Sequence, residues 1–324
     1  MSASEINGVI NVLKPPGMTS HDVVSFLRRS LQIKKAGHTG TLDPGVAGVL
    51  PVCLGKATKT IEYMSDDIKQ YRAEVTFGRS TDTQDGFGQT ILETDASGLR
   101  QEVVEQALLD LRGRISQIPP MVSALKHKGR KLYELAREGI TVEREPRAVE
   151  IHDIKVIRCS HFGTPNPSAL FDMKCSKGTY VRTICHDIGA RLGYGAFMSF
   201  LVRTGTGRFH ISDALTLDEI TELINNNAID RAFLPVEEVL PLAPVWIYDD
   251  AVRSVVHGNP VYSPGIQSIR DELTEGTLVK LMNQNCGCLA VARVIVGSEE
   301  GDTSGFNPES THKRYIFQPI KVFC

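Results

Sequence analysis

Polar and apolar side chains alternate along the nine residues from Lys69 to Phe77. Tyr71, Ala73 and Val75 fall on the same side as Phe77. Successive side chains of a β-strand point to opposite faces, so this spacing predicts a strand with one buried face. The chain must therefore build at least one sheet with a half-buried strand.

Other segments show either strand or helix patterns. Further strands are predicted at Gly8–Leu13, Ala148–Arg158 and Ser168–Cys175. Helices are predicted at His21–Leu31, Lys56–Met64, Glu102–Leu111, Lys131–Glu138, Tyr180–Leu192 and Leu217–Ile224. The segment Lys34–Gly48 contains four glycines and one proline and is predicted to be an ordered loop.

Length and proline content indicate two domains. The chain has 324 residues, and domains contain roughly 100–200 residues each. Three prolines lie among apolar residues between Pro235 and Pro244, which is typical of a boundary. Short β-rich segments follow at Leu278–Met282, Leu289–Val296 and Arg314–Phe323. We expect one domain at residues 1–240 and a small β-rich domain at 241–324.

Composition narrows the class of protein. No apolar run approaches the roughly 20 residues that a membrane helix needs, and the first five residues lack the features of a signal peptide. We therefore expect a cytoplasmic protein without membrane contact. The net charge of −2 is unlike that of a nonspecific nucleic-acid coat, although a local basic groove remains compatible with it.

Two segments only superficially resemble ligand motifs. Gly48–Thr58 has a longer glycine spacing than a P-loop, and Ala57 occupies the position where Ser or Thr would hold magnesium. In the segment that begins at Asp82, the glycine of a calcium loop is misplaced. The seven cysteines show no CxxC spacing. We predict no nucleotide cofactor, no other cofactor and no metal.

Asp43 has unusual neighbours. Pro44 follows it and disfavours the helical backbone for Asp43. Gly37, Gly40 and Gly45 would let the chain turn sharply on either side. Such a loop can present one carboxylate to a substrate, and a structural capping or turn role is the alternative.

Two further side chains suit RNA chemistry. Arg182 falls in the first turn of a predicted helix, where the helix dipole disfavours a cation, so it needs a carboxylate or phosphate partner elsewhere. Tyr71 can belong to the core or provide a stacking surface for an unstacked base. Four of the six residues from Lys126 to Lys131 are Lys or Arg, which suits phosphate contacts, or else a solvated loop.

Taken in order, these segments resemble the TruB family of tRNA pseudouridine synthases. The resemblance covers Gly8 to Phe209. It rests on Tyr71 and on the segments Val12–Ser20, Ala36–Pro44, Gly48–Lys59, Thr81–Thr83, Pro120–Lys126 and Lys177–Thr183. The family commonly has tyrosine where Val122 stands.

The resemblance implies an α+β fold. Its catalytic domain would contain a mixed, largely antiparallel sheet of the pseudouridine synthase type with flanking helices and loops. A mobile insertion near residues 120–147 would close over the RNA. The C-terminal domain is loosely similar to a PUA-type RNA-binding domain.

The resemblance also implies roles for individual residues. Asp43 would be the catalytic nucleophile, Arg182 its ion-pair partner, and Tyr71 the stacking residue with a possible acid–base role. The substrate would contact His38, Tyr180, Leu201, Lys14, Lys126, Lys128 and Arg130.

The implied reaction converts uridine 55 in the T-loop of tRNA to pseudouridine. The partner is the T stem-loop of tRNA, no cofactor is required, and we expect a monomer. Whether Asp43 attacks C1′ or assists glycal formation stays open. The alternative is an RNA-binding tRNA-folding chaperone that has the same fold.

Overall fold

The structure is a computed structural model that describes residues 6–64, 68–269, 273–297 and 314–323. The predictions for the first five residues and for Cys324 concern positions outside these ranges. Among the described helices, none has the length and apolar character needed to cross a membrane. The six cysteines within these ranges are free thiols.

The first part of the chain contains thirteen strands. They are β1 Gly8–Lys14, β2 Ala36–His38, β3 Ala47–Leu54, β4 Lys69–Phe77, β5 Arg79–Thr81, β6 Thr90–Glu93, β7 Gly113–Gln117, β8 Lys126–His127, β9 Arg130–Lys131, β10 Arg147–Ser160, β11 Ser168–Cys175, β12 Ala196–Thr206 and β13 Phe209–His210. The predicted half-buried strand is β4, whose Ala73, Val75 and Phe77 are fully buried.

Nine of these strands form one sheet. Its main order is β1-β3-β12-β4-β11-β10-β7, with β2 paired to β3 and β13 paired to β12. Every pair is antiparallel except β3 with β12, where Gly48 lies opposite Arg203. The sheet is therefore mixed and largely antiparallel, as the sequence analysis predicted.

Seven α-helices accompany these strands. They are α1 Ser20–Ser30, α2 Ile61–Met64, α3 Gln101–Leu109, α4 Leu132–Arg137, α5 Val181–Leu192, α6 Leu217–Asn225 and α7 Val236–Val239. Thr19 caps α1 by accepting from the Asp22 amide, and Asp22 accepts from the Thr19 amide in return. Such a cap stabilises a helix by about 1 kcal/mol.

Two large apolar clusters pack against the sheet. In one of them, α3 and α5 supply side chains such as Leu108 and Ile188 to a core that includes Phe171 of β11. The other cluster joins Leu27 of α1 and Ile220 of α6 to the strands near β1. Because helices cover it on both sides, β1 is apolar and buried along nearly its whole length.

A second sheet lies toward the C-terminus. Its strands are β14 Ala243–Ile247, β15 Ile266–Ile269, β16 Leu278–Asn283, β17 Gly287–Gly297 and β18 Arg314–Val322, and α8 Asp249–Val256 packs beside β17 and β18. The strand order is β15-β14-β16-β17-β18. This confirms the predicted small β-rich domain.

The sequence analysis missed β12, although it lies near the middle of the central sheet. Residues 196–202 read Ala-Phe-Met-Ser-Phe-Leu-Val, without alternation. The pairing of β12 with β4 slips once between Met198 and Phe200 and again between Arg203 and Gly205. Bulges of this kind shift the side-chain period, so the sequence pattern of a strand is lost. The strand β7 was also missed, and the predicted Lys56–Met64 helix begins as a 3₁₀ turn over Gly55–Thr60.

Candidate active site

Asp43 lies in a loop that is held on both sides of it. On the preceding side, the Leu42 amide donates to Ser20 Oγ over 2.9 Å. On the following side, the Pro44 carbonyl accepts from the Gly17 amide at 2.9 Å and from Lys14 Nζ at 3.1 Å. The backbone that carries the Asp43 carboxylate is therefore positioned by β1 and the start of α1.

The glycines of this loop do not act as predicted. Gly37, Gly40 and Gly45 all lie outside the left-handed region, so none is needed for a sharp turn. Gly37 and Gly45 instead leave room for neighbouring side chains. A Cβ at residue 37 would lie 2.8 Å from Ile61, and one at residue 45 would meet the ring of Phe87.

Arg182 forms the predicted ion pair with Asp43. Its Nη1 lies 2.9 Å from Asp43 Oδ2, and the side-chain exposures are 4% for the arginine and 42% for the aspartate. Arg182 is the second residue of α5, which begins after Tyr180. The carboxylate that compensates for the unfavourable helix dipole at Arg182 thus comes from a loop that is distant in sequence.

Two further polar groups lie close to the Arg182 guanidinium. Its Nη1 lies 3.8 Å from Asp85 Oδ2, and its Nη2 donates to the carbonyl of Val122. One buried guanidinium therefore joins the Asp43 loop, the loop after β5 and the segment that precedes β8. The sequence analysis did not identify Asp85 as part of the site.

The charges around Asp43 act in opposite directions. Burial raises the pKa of Asp43 above its ordinary value, Arg182 opposes the rise, and Asp85 adds to it. The Arg182 guanidinium favours the ionised form of Asp43, because a nearby cation stabilises a negative charge. Burial nevertheless outweighs that contribution, so the carboxylate is more basic than a free one.

Tyr71 and Arg203 form a second polar pair behind the loop. Arg203 is 2% exposed and donates to Val49 O at 2.7 Å and to Gly40 O at 3.1 Å. It also hydrogen-bonds the Tyr71 phenol. Burial raises the pKa of Tyr71, so the phenol is neutral near pH 7. Arg203 was missed because β12 was missed.

These residues surround a cavity of about 250 Å³. This is near the lower end of small-ligand pockets, roughly 300 Å³. Asp43, Arg182, Tyr71, Tyr180 and Leu201 all line it. The structure therefore brings together five of the predicted site residues, which come from four separate segments of the chain.

A larger and more open depression of about 640 Å³ surrounds Arg79, at the far end of β4. There the Arg79 guanidinium lies 4.3 Å from the centre of the Phe197 ring. Glu93 and Asp95 are the acidic residues on its walls. It lacks a carboxylate held against a buried cation, so we place the site at the smaller cavity.

The backbone of Tyr180 is fixed by an amide side chain from the neighbouring sheet edge. Gln117 Oε1 accepts from the Tyr180 amide at 2.8 Å, and Gln117 Nε2 donates to the Tyr180 carbonyl at 3.0 Å. Burial raises the pKa of the Tyr180 phenol. The ring that walls the cavity is thus positioned from the end of β7.

Lys14 and His38 lie behind the cavity wall. Lys14 is fully buried, and its ammonium donates to the carbonyls of Pro15, Met18 and Pro44. With its donors used in this way, it supports the Asp43 loop and has no free N–H for a substrate, contrary to its predicted direct contact. His38 pairs with Val52 across β2 and β3, and burial lowers its pKa.

The predicted basic residues lie on a small hairpin of β8 and β9. Lys126, Lys128 and Arg130 are exposed there, and Lys128 itself lies in the left-handed region at the turn. Arg130 forms an ion pair with Glu138. None of the three lines the cavity, although Ser123 and Ala124 just before the hairpin do.

Three family models match consecutive parts of the chain. Residues 28–181 match the TruB family pseudouridylate synthase N-terminal domain. Residues 182–241 match the tRNA pseudouridylate synthase B C-terminal domain, and residues 244–302 match the PUA domain.

Curated relatives match most of the chain. A tRNA pseudouridine synthase B from Pelotomaculum thermopropionicum is 49% identical over 98% of this chain and 98% of its own. One from Symbiobacterium thermophilum is 54% identical over 79% of this chain and 84% of its own. Another, from Bacillus subtilis, is 42% identical over 88% of this chain and 92% of its own.

Solved structures share the fold. A chain from a Cbf5-Nop10-Gar1 complex has a TM-score of 0.72 and 30% identity, over 98% of this chain and 85% of that one. A chain from an H/ACA RNP bound to a substrate RNA containing 2′-deoxyuridine also has a TM-score of 0.72, with 28% identity over the same shares.

Proposed function

The chain belongs to the TruB family of pseudouridine synthases, and on this premise we propose that it isomerises uridine 55 in the T-loop of tRNA with Asp43 as the essential catalytic group. The coarser activity follows from the family: the protein is an isomerase that converts uridine in tRNA to pseudouridine. The T-loop target and the roles of individual residues are the proposal.

The observation that carries the proposal is the ion pair of Asp43 and Arg182 inside a cavity with an aromatic wall. Pseudouridine formation breaks the N1–C1′ bond, turns the uracil and joins it through C5, so an ionised carboxylate near the sugar is required. The buried guanidinium holds Asp43 Oδ2 at 2.9 Å and favours its charged form. The reaction involves no net oxidation, and the proposal therefore names no cofactor.

Tyr71 and Leu201 would receive the flipped base. Extruding a nucleotide from its stack costs a few kcal/mol, which a pocket can offset through new stacking contacts. The two side chains line the cavity next to Asp43. Because Arg203 hydrogen-bonds the phenol, Tyr71 is held in place as a stacking surface.

We assign RNA contacts to two surfaces outside the cavity. Lys126, Lys128 and Arg130 extend from the insertion at residues 120–147, and their charges suit phosphates. The C-terminal domain, residues 241–324, contains the PUA match and supports a second contact with tRNA. We further propose that the insertion moves to close over the stem-loop and that the enzyme acts as a monomer.

The test is an Asp43→Asn variant of the full chain. Asn has nearly the same shape but no charge, so we expect pseudouridine formation in a T-arm stem-loop to be abolished while RNA binding persists. Asp218→Asn, at an exposed position in the first turn of α6, is the matched control for the same loss of one carboxylate charge. Full turnover by Asp43→Asn would overturn the role of Asp43, and turnover of uridines only outside the T-loop would overturn the target.

The exposed basic hairpin also favours a second role in tRNA folding. A chaperone binds RNA without needing the carboxylate, so Asp43→Asn should then still accelerate the refolding of tRNA. Loss of that acceleration in an RNA-binding Asp43→Asn variant would remove this second candidate.

A further inference from the structure

One aromatic side chain near the site is largely exposed to solvent. Phe87, in the loop between β5 and β6, is 80% exposed, more than any other large apolar side chain of the described residues. Single exposed apolar residues are common on protein surfaces. The exposure of Phe87 therefore indicates a function only when it is combined with the hydrogen bonds that hold its loop and with the position of that loop.

The loop that carries Phe87 is held by its own polar side chains. Asp85 Oδ1 accepts from the Phe87 amide at 3.0 Å and from Thr83 Oγ1 at 2.6 Å. Thr81 Oγ1 donates to the Asp85 carbonyl, and Asp82 Oδ1 accepts from the Gln89 amide at 2.8 Å. A ring on such a loop is already ordered, so a ligand that contacts it does not have to order the backbone.

The ring lies directly beside the loop that carries the catalytic carboxylate. A Cβ at Gly45 would lie 2.3 Å from Phe87 Cε2 and 2.6 Å from Cζ, so the ring occupies the space above that glycine. Gly45 is two residues after Asp43. The residue that accepts from the Phe87 amide is Asp85, whose other carboxylate oxygen lies 3.8 Å from Arg182.

We propose that Phe87 is a stacking subsite for the unpaired base next to the flipped uridine. This inference rests on the proposed function. When the target leaves its stack, the adjacent loop nucleotide loses a stacking partner, and an exposed aromatic ring beside the Asp43 loop can replace it. The ring has no hydrogen-bonding group, so the subsite contributes affinity and placement of the strand, and it accepts any base.

Stacking of one base on an aromatic ring makes a measurable contribution to binding affinity. Phe87→Ala should therefore weaken binding of a T-arm stem-loop roughly 5- to 150-fold. Phe87→Trp keeps a stacking surface and should restore most of the affinity. Ile91→Ala is the matched control, since Ile91 is an apolar side chain that is 63% exposed on the following strand, β6. Its affinity should equal that of the wild type.

The decisive experiment removes the base instead of the ring. Stem-loops with an abasic site 5′ or 3′ to the target uridine are compared with the intact RNA, using binding constants for the full-length wild type and for Phe87→Ala. We expect one of the two abasic sites to weaken wild-type binding by about the same factor as Phe87→Ala. That abasic site should have no further effect in the variant.

The inference is wrong if each abasic site weakens binding by the same factor in Phe87→Ala as in the wild type, because the ring then does not stack on a neighbouring base. Pseudouridine formation in the intact RNA is measured in parallel. Wild-type enzyme that binds this RNA without modifying it would overturn the proposed T-loop function, and the binding constants would still decide the role of Phe87. Absence of binding by the wild type would overturn both.

Discussion

Arg182 is almost fully enclosed, whereas the carboxylate it pairs with, Asp43, stands at the mouth of the cavity. Their nearest atoms are 2.9 Å apart, and the exposed fractions are 4% and 42%. A cation that is buried before substrate arrives is already desolvated and oriented. Such preorganisation is the main source of electrostatic catalysis in enzymes.

Arg182→Lys should therefore lower kcat by roughly 100-fold or more while leaving RNA affinity nearly unchanged. Lysine keeps the charge, but one ammonium cannot reach Asp43, Asp85 and the Val122 carbonyl in the geometry of a guanidinium. Single-turnover rates and binding constants measured on the same RNA separate the two effects. A variant that loses affinity and keeps its rate would contradict this prediction.

The acid side of the pH–rate profile should report Asp43. Because burial raises the pKa of this carboxylate, activity should fall at a higher pH than an ordinary aspartate would give. Asp85 contributes to the rise, so Asp85→Asn should move the acid limb to lower pH. Single-turnover rates from pH 4 upward, roughly the range of carboxyl titration, measure the limb. An acid limb that stays unchanged in Asp85→Asn would show that another group controls it.

The alkaline side of the pH–rate profile should follow the titration of Lys14. Burial lowers its pKa to about 8, with Asp43 opposing. Below that pH the ammonium donates to the Pro44 carbonyl, and above it the proton that supports the Asp43 loop is lost. We expect the rate to decline above about pH 8. Lys14→Arg should remove this decline, because the arginine cation does not titrate in this range.

The same depressed pKa of Lys14 affects folding stability in the opposite direction. Because the pKa of Lys14 is lower in the folded state than in the unfolded state, the free energy of unfolding should rise with pH between these two pKa values.

Arg203→Lys should impair both folding stability and turnover. A single ammonium cannot serve Val49 O, Gly40 O and the Tyr71 phenol together, and each buried acceptor left without a donor costs about 1–3 kcal/mol. The melting temperature should fall by several degrees. At a temperature where the variant is fully folded, kcat should still be reduced because Tyr71 is no longer held. Native melting with native turnover would show that these bonds are unimportant.

The salt dependence of RNA binding should distinguish the three basic residues of the hairpin. Lys126 and Lys128 are exposed, whereas Arg130 is already paired with Glu138. Replacing both lysines by alanine should reduce the slope of log K against log salt by about 0.7–0.9 per phosphate contact, and Arg130→Ala should reduce it less. Lys155→Ala, an exposed lysine on β10, is the control. Equal slopes for all variants would remove the hairpin from the RNA interface.

Much of this architecture could be predicted from the sequence because the local patterns and the fold agree. The alternation of β4 and the helical segments that became α1 and α5 all formed as expected. The position of Arg182 at a helix start indicated only that it needs a carboxylate or phosphate partner, and the family resemblance implied that this partner is Asp43.

What escaped prediction depends on contacts distant in sequence. The bulges of β12 hide its period, and Arg203 on that strand reaches carbonyls more than 150 positions earlier in the chain. The burial of Lys14 was not predicted, since no local pattern reveals that its ammonium donates to the carbonyl of Pro44. The role of Gly45 depends on the ring of Phe87, which belongs to a separate loop.

The hydrogen bond from Arg182 to the Val122 carbonyl has a thermodynamic consequence. Val122 belongs to the insertion, and the same guanidinium holds Asp43, so the free energies of the two arrangements are linked. Linkage is reciprocal. The present placement of the insertion and the pairing of Arg182 with Asp43 therefore stabilise each other by the same amount, and a substrate that engages the carboxylate also biases where the insertion rests.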